Sequence, residues 1–210
     1  MRGRRLILRR HDLAWIDPGI DPGSIISTHV GATLEWIRRL HPLVVTRQPA
    51  IEGDAIALGY TLAPGRKRIA LTVPRSGIIH RARPLLLDDA IGHAPEDWHA
   101  GMQRVQEICD SAGAVARVYG SLSTQAFTGE NCLSRESDLD LLLECNEHTR
   151  FEELLQALES VRHPRLDGEI LMPSGWAVAW RELLNAKSVM AKSDSEVRLF
   201  PAREYLAGKC

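Results

Sequence analysis

Two aspartates one residue apart stand at the head of the apolar run "DLDLLLE", Asp138 to Glu144. Successive side chains on a strand point to opposite faces, so Asp138 and Asp140 share one face, roughly 6.6–6.8 Å apart along it. Leu139 and Leu141 then turn toward a core. Two like charges so placed repel each other and resist desolvation. A divalent cation between them reverses that balance. Oxygen-only ligands suit magnesium, which keeps several waters and completes its shell with substrate phosphates. Two such ions, about 3.5–4 Å apart, would clamp the attacking and leaving oxygens of a phosphoryl transfer.

Two further stretches supply what that chemistry lacks. "LDGE" carries Asp167 and Glu169, which share a face of any strand they lie on. If that strand lies beside the first, either acid can join the pair as metal ligand or take a hydroxyl proton. Gly120-Ser121 ends another apolar run. Glycine lets a phosphate approach the backbone closely, and serine adds a hydroxyl. A helix starting there would present unpaired N–H groups to the terminal phosphates of a triphosphate. A lone D-x-D is usually a strand-edge acid, and a lone Gly-Ser says less still. Their joint order, strand, Gly-Ser, D-x-D strand, helix, strand with an acid, points to a functional site.

The elements that must position these residues are legible in outline. "PEDWHAGMQRVQEICDSAG" has Pro95 and acids at its start and Gly113 at its end, as a helix should. Its apolar residues Trp98, Met102, Val105, Ile108, Cys109 and Ala112 recur at helical spacing. "AVARVY" reads as a strand running into Gly120, "RFEELLQALESV" as a helix and "PRLDGEILM" as a third strand. "WAVAWRELLNAK" reads as a strand leading into a helix, "EVRLF" as a last strand, and Pro201 opens a terminal helix. Before about residue 90 the texture differs, with the punctuation "DPGIDPG", "LAPGRKR" and "TVPRSG". Between these lie β-type runs at Leu43–Thr46, Ala55–Leu62 and Arg68–Val73 and one helix near Gly31–Leu40. The expectation is an α+β chain with a small α+β domain over 1–90 and a catalytic domain over 91–210.

Bulk properties narrow the classes. The 210 residues are 44% hydrophobic and 25% charged, as in ordinary globular domains. The 26 basic and 27 acidic residues leave a net charge of -1, which argues against broad binding to DNA or RNA. No apolar run approaches the roughly 20 residues of a membrane helix. The basic start "MRGRRLILRRHD" has too short an apolar piece for a signal peptide, so a cytoplasmic location is expected. The four cysteines, Cys109, Cys132, Cys145 and Cys210, form no C-x-x-C pair. Cys109 and Cys145 read as small core residues, and Cys210 as an exposed thiol.

At these residues the chain resembles the DNA polymerase β-like nucleotidyltransferase superfamily. That resemblance implies a mixed sheet flanked by helices. It places the superfamily's signature on Gly120, Ser121, Asp138 and Asp140, with the third acid best matched by Asp167 in "RLD". The spacer from Leu122 to Ser137 is longer than usual for the superfamily. A narrower resemblance accounts for it, to the phosphoribosyl-dephospho-CoA transferases, the holo-acyl-carrier-protein synthases of malonate decarboxylase. It rests on "RRHDLAWIDP", "PLVVTRQ", "FTGE…SDLDLLLE", "RLDGEI" and "GWAVAWREL", which span nearly the whole chain. It implies transfer of a phosphoribosyl-dephospho-CoA group from triphosphoribosyl-dephospho-CoA to a serine of the apo acyl-carrier subunit, with loss of diphosphate. Asp138 and Asp140 would bind Mg²⁺, and Asp167 would complete the site, with Glu169 as substitute. Gly120 and Ser121 would hold the outgoing phosphates, and the first domain would grip the dephospho-CoA arm or the carrier.

Other conspicuous residues weigh less. Arg47 and Gln48 follow an apolar strand, and Arg47 reads equally well as a phosphate contact or an ordinary strand-end arginine. Arg75 and Lys187 read as surface residues, and Arg66–Lys67–Arg68 as a solvated loop that could meet an acidic carrier. The eight histidines show no H-E-x-x-H spacing. His11 beside Asp12 reads as a structural hydrogen bond, and Trp98, Trp176 and Trp180 read as core. "GSLS" is not a G-x-S-x-G elbow. The competing readings are another nucleotidyltransferase, acting on a small molecule, an RNA end or a protein, and a binding protein without catalysis.

Overall fold

The computed structural model describes residues 8–48, 53–62 and 67–208, which form two compact units, Met1–Arg83 and Pro84–Cys210. In the first, the elements are β1 (Leu13–Ile16), β2 (Ile26–Ser27), α1 (Val30–Arg38), β3 (Leu43–Val45), β4 (Ala55–Leu62), β5 (Lys67–Pro74) and β6 (Ile78–Ala82). The strands make an antiparallel sheet in the order β2-β5-β4-β3-β1-β6. The alternation of Ile56, Leu58 and Tyr60 on β4 with Ile69, Leu71 and Val73 on β5 builds one apolar face. Trp36 and Ile37 of α1 pack into the same core, and the Trp36 indole N–H donates to the Pro42 carbonyl at 2.9 Å.

The three strand runs and the helix read from the sequence are present. The short β1, β2 and β6 are additions, and β6 is mostly exposed. Lys67 and Arg68 do not lie in a loop but open β5, both exposed, while Arg66 is outside the described residues. The His11 backbone N–H donates to the Val45 carbonyl. Asp12, 1% exposed, holds the Arg83 guanidinium at 2.7 Å.

The second unit contains β7 (Leu85–Leu86), α2 (Leu87–Ala90), α3 (His99–Ala112), β8 (Val115–Val118), α4 (Gly120–Thr128), β9 (Leu139–Glu144) and α5 (Phe151–Ser160). It continues with β10 (Leu166–Leu171), β11 (Ala177–Ala179), α6 (Trp180–Asn185), β12 (Ser188–Lys192), β13 (Val197–Pro201) and α7 (Ala202–Leu206). The sheet runs β13-β12-β11-β10-β9-β8-β7 and is mixed: β9 and β10 are parallel, and the other neighbours are antiparallel. The chain divides at Arg83/Pro84 rather than near 90 because β7 pairs with β8.

The two sheet faces differ. One carries Ala116 and Val118, then Leu139, Leu141 and Leu143, then Leu166 and Ile170, packed against the apolar sides of α3 and α5. Cys109 and Cys145 lie in this core as expected, both free, and burial pushes their thiols up to about 12. Cys132 is half-buried, and Cys210 lies outside the described residues. Trp98 and Trp180 are buried. Trp176 is only half-buried and meets Phe200 edge-on at 5.3 Å. The opposite face receives the residues that alternate with the core set: Arg117, Asp140, Leu142, Glu144, Asp167 and Glu169.

The long spacer after Gly120 is not open loop. Its first half is α4, ended by Gly129 in the left-handed conformation. Its second half is tied down by Gln125, whose side chain donates to the His93 carbonyl and accepts from the backbone of Cys132 and Leu133. Ser137 Oγ accepts from the Ser134 backbone, closing the turn that delivers Asp138 to β9. Among the described residues, no helix is long and apolar enough to cross a membrane.

Candidate active site

The site is assembled where β8 ends and β9 begins. Asp138 immediately precedes β9, and Asp140 is its second residue. The register of the parallel pair sets Asp167 directly beside Asp140. Neighbouring strands are about 4.8 Å apart, so the two carboxylates rise side by side from one face. Gly168 permits this close pairing. It has φ +138, and a methyl group there would collide with the Leu141 backbone. Its N–H donates to Asp167 Oδ1 at 2.8 Å.

On the other side of Asp140, β8 runs out and the chain turns into α4. The Tyr119 N–H donates to the Asp140 carbonyl at 3.0 Å, which brings Gly120 against the Asp140 side chain. Gly120 has φ +68, and a Cβ there would overlap the Asp140 carboxylate. The first turn of α4, Gly120 and Ser121 included, therefore opens beside Asp140. The residue before it, Tyr119, makes no side-chain capping hydrogen bond to this terminus. The first turn of a helix is where N–H groups without intrahelical partners can meet an anion.

The candidates divide into three groups. Gly120, Ser121, Asp140 and Asp167 come together, with Asp138 at their margin. Asp138 is turned toward Arg165, whose Nε donates to its Oδ1, while Arg165 Nη2 donates to the Glu136 carbonyl at 3.3 Å. That hydrogen bond raises the already high pKa of Arg165. Among the described residues, no group of three His, Cys, Asp or Glu side chains is gathered closely enough to hold a metal ion. Glu169 stands apart, 6% exposed and paired with Lys192 Nζ at 3.2 Å. Arg47 belongs to the first unit, exposed just beyond β3. Lys187 is exposed, and Arg75 pairs with Asp54 at 3.1 Å.

Two residues of this neighbourhood were not singled out from the sequence. Arg165 could have been, because a cation one residue before a strand that runs parallel to the D-x-D strand reaches its acids. Lys192 carried no signal until β12 was recognised as a strand.

Chemically, the arrangement offers hard oxygen donors on one face and a helix N-terminus for anions, with a guanidinium at its edge. The donor set suits a hard divalent cation, given the release of Asp138 from Arg165. Two family models match the chain. One describes the phosphoribosyl-dephospho-CoA transferase MdcG N-terminal domain and covers residues 9–84. The other describes the C-terminal domain of the same protein and covers 85–203. A protein of Xanthomonas campestris named phosphoribosyl-dephospho-CoA transferase is 34% identical over 209 residues, 96% of this chain and 98% of the relative. One of the same name from Bradyrhizobium diazoefficiens is 32% identical, over 95% of this chain and 92% of the relative. Another from Azotobacter vinelandii is 31% identical, over 99% and 100%. No solved structure matches. With both units matched and the relatives aligned nearly end to end, the chain belongs to the phosphoribosyl-dephospho-CoA transferase family and is a transferase.

Proposed function

We propose that the chain moves a phosphoribosyl-dephospho-CoA group from triphosphoribosyl-dephospho-CoA to a serine of the apo acyl-carrier subunit of malonate decarboxylase. It does so with Mg²⁺ on a polymerase β-like nucleotidyltransferase domain. The observation that carries this reading is the register that sets Asp167 beside Asp140, with Gly120 and the start of α4 on the other side. The serine oxygen attacks the innermost phosphorus of the triphosphate. A new P–O bond forms, the bond to the outer two phosphates breaks, and diphosphate leaves with its electron pair. The serine proton passes to Asp167, the exposed acid, rather than to buried Glu169. Gly120, Ser121 and the N–H groups of α4 hold the leaving phosphates. Asp138 and Asp140 would hold magnesium, which when bound supplies positive charge against the diphosphate. The first unit, with Arg47 among its candidates, grips the dephospho-CoA arm or the carrier.

The decisive experiment incubates the chain with triphosphoribosyl-dephospho-CoA, Mg²⁺ and an apo carrier. The expected result is a mass gain of one phosphoribosyl-dephospho-CoA on the carrier serine, with diphosphate released one for one. Labelling of the carrier or of another acceptor from plain ATP or CTP, with none from this substrate, would overturn the reading.

Arg165 gives a separate prediction. It competes with any cation for Asp138, so Arg165→Met should tighten Mg²⁺ binding to the substrate-free chain about two- to fivefold, as an exposed ion pair warrants. Isothermal titration calorimetry reads this directly. Unchanged or weaker binding would mean that Asp138 is not a metal ligand.

A further inference from the structure

We propose that Lys192 is a substrate-binding residue, its ammonium held over the carboxylate face by Glu169 to take up negative charge on the phosphate chain. The inference rests on the transferase reading above. Three observations lead to it. Glu169 shares its face with Asp167, two residues along β10, roughly 6.7 Å away. It is nearly fully buried, and its carboxylate meets Lys192 Nζ at 3.2 Å. The registers Leu171↔Ala177 and Ala177↔Lys192 put Lys192 on that same face, two strands away from β10.

The pair is asymmetric in a telling way. The Glu169 side chain is 8% exposed and the Lys192 side chain 41%. Burying a carboxylate is costly, and replacing a buried ion pair by apolar residues is often neutral or stabilising. Stability alone is thus a weak reason for an acid here. An acid that anchors a partly exposed lysine does have a use: it holds the ammonium beside Glu169, two residues along β10 from Asp167. The ammonium is a compact point charge with three donors, suited to phosphate oxygens. The phosphate chain would then meet the α4 terminus on one side of Asp140 and Lys192 on the other.

The test separates contact from scaffolding. The probe is inorganic tripolyphosphate with Mg²⁺, titrated calorimetrically into the whole chain, with melting temperatures recorded alongside. Lys192→Met alone takes the ammonium away from a buried carboxylate, so the informative variant is Lys192→Met with Glu169→Gln, which removes both charges of the pair. It should bind the probe about tenfold or more weakly, the loss of one charge-assisted hydrogen bond, at a melting temperature near that of the parent. Lys192→Arg should recover part of that loss. Glu169→Gln alone should cost no more than about threefold, because the ammonium remains. Binding by the double variant within twofold of the parent overturns the proposal and leaves the transferase reading intact. So does a loss as large in Glu169→Gln alone. A parent chain that binds no tripolyphosphate and transfers nothing to the carrier overturns both.

Discussion

Asp140→Asn should lower kcat/KM for carrier loading about a thousandfold or more while leaving the fold as stable or slightly more so. The activity loss follows from position. Asp140 has Asp167 beside it on one side and Gly120 against it on the other, so the third acid and the phosphate-holding turn both meet at this carboxylate. Losing one preorganised charged contact to a transferring phosphoryl group typically costs two to three orders of magnitude, and a metal ligand more. The stability gain follows from the same geometry. In metal-free buffer Asp140 and Asp167 are like charges on adjacent strands, and neutralising one relieves their repulsion. Steady-state loading kinetics and thermal melting with and without Mg²⁺ check both halves. The parent should gain melting temperature from Mg²⁺ and the variant should not. A variant that retains activity within tenfold would remove Asp140 from the chemistry.

The second large effect is expected at Gly120. Gly120→Ala meets two obstacles at once. The backbone at φ +68 disfavours any side chain, and the added methyl would occupy the space of the Asp140 carboxylate. The first costs about 1 kcal/mol. The second can be relieved only by moving Asp140 or the start of α4, and either motion misplaces a group that must act within a fraction of an ångström. Loading should fall about a hundredfold, since a 1 Å misplacement is enough for that. Chemical denaturation should show a loss of about 1–3 kcal/mol in all. Ser121→Ala, which changes no backbone geometry, should do far less on both counts. If Gly120→Ala loads the carrier at the parental rate, the close approach of Gly120 to Asp140 has no catalytic meaning.

Much of this is legible in the sequence alone, for identifiable reasons. The helix α3 announced itself through five buried residues at helical spacing. The strand β9 announced itself because Leu139, Leu141, Leu142 and Leu143 are all buried, which gives a continuous apolar run rather than an alternating one. The acids at its head stood out against that run. What sequence could not give was registration. Nothing in "RLDGE" says which acid lies opposite Asp140. Only the pairing of β10 with β9 separates Asp167 from Glu169, by placing one at the site and burying the other beside Lys192.

The short elements were equally silent. The segment Ser188–Lys192 alternates buried and exposed for only five residues, with alanine at one of its buried positions, so its β pattern is faint. The same holds for β6, whose residues are mostly exposed and which is held by its hydrogen bonds to β1 rather than by an apolar face. The helix α4 is raised by the sequence only as a condition, because its apolar residues mark no clear face and its buried positions are Leu122 and Ser123 alone. It is stabilised by tertiary ties such as Gln125, and those join residues far apart in the chain.

Tyr205 lies in the last helix and is wholly buried. Its hydroxyl donates to the Ile170 carbonyl at 2.6 Å and lies 3.1 Å from that of Trp176, so it rivets the tail to the strand that presents Asp167. The family model stops at residue 203, two positions short of this rivet. A chain trimmed to that boundary would keep every acid of the site yet shed the bolt behind it.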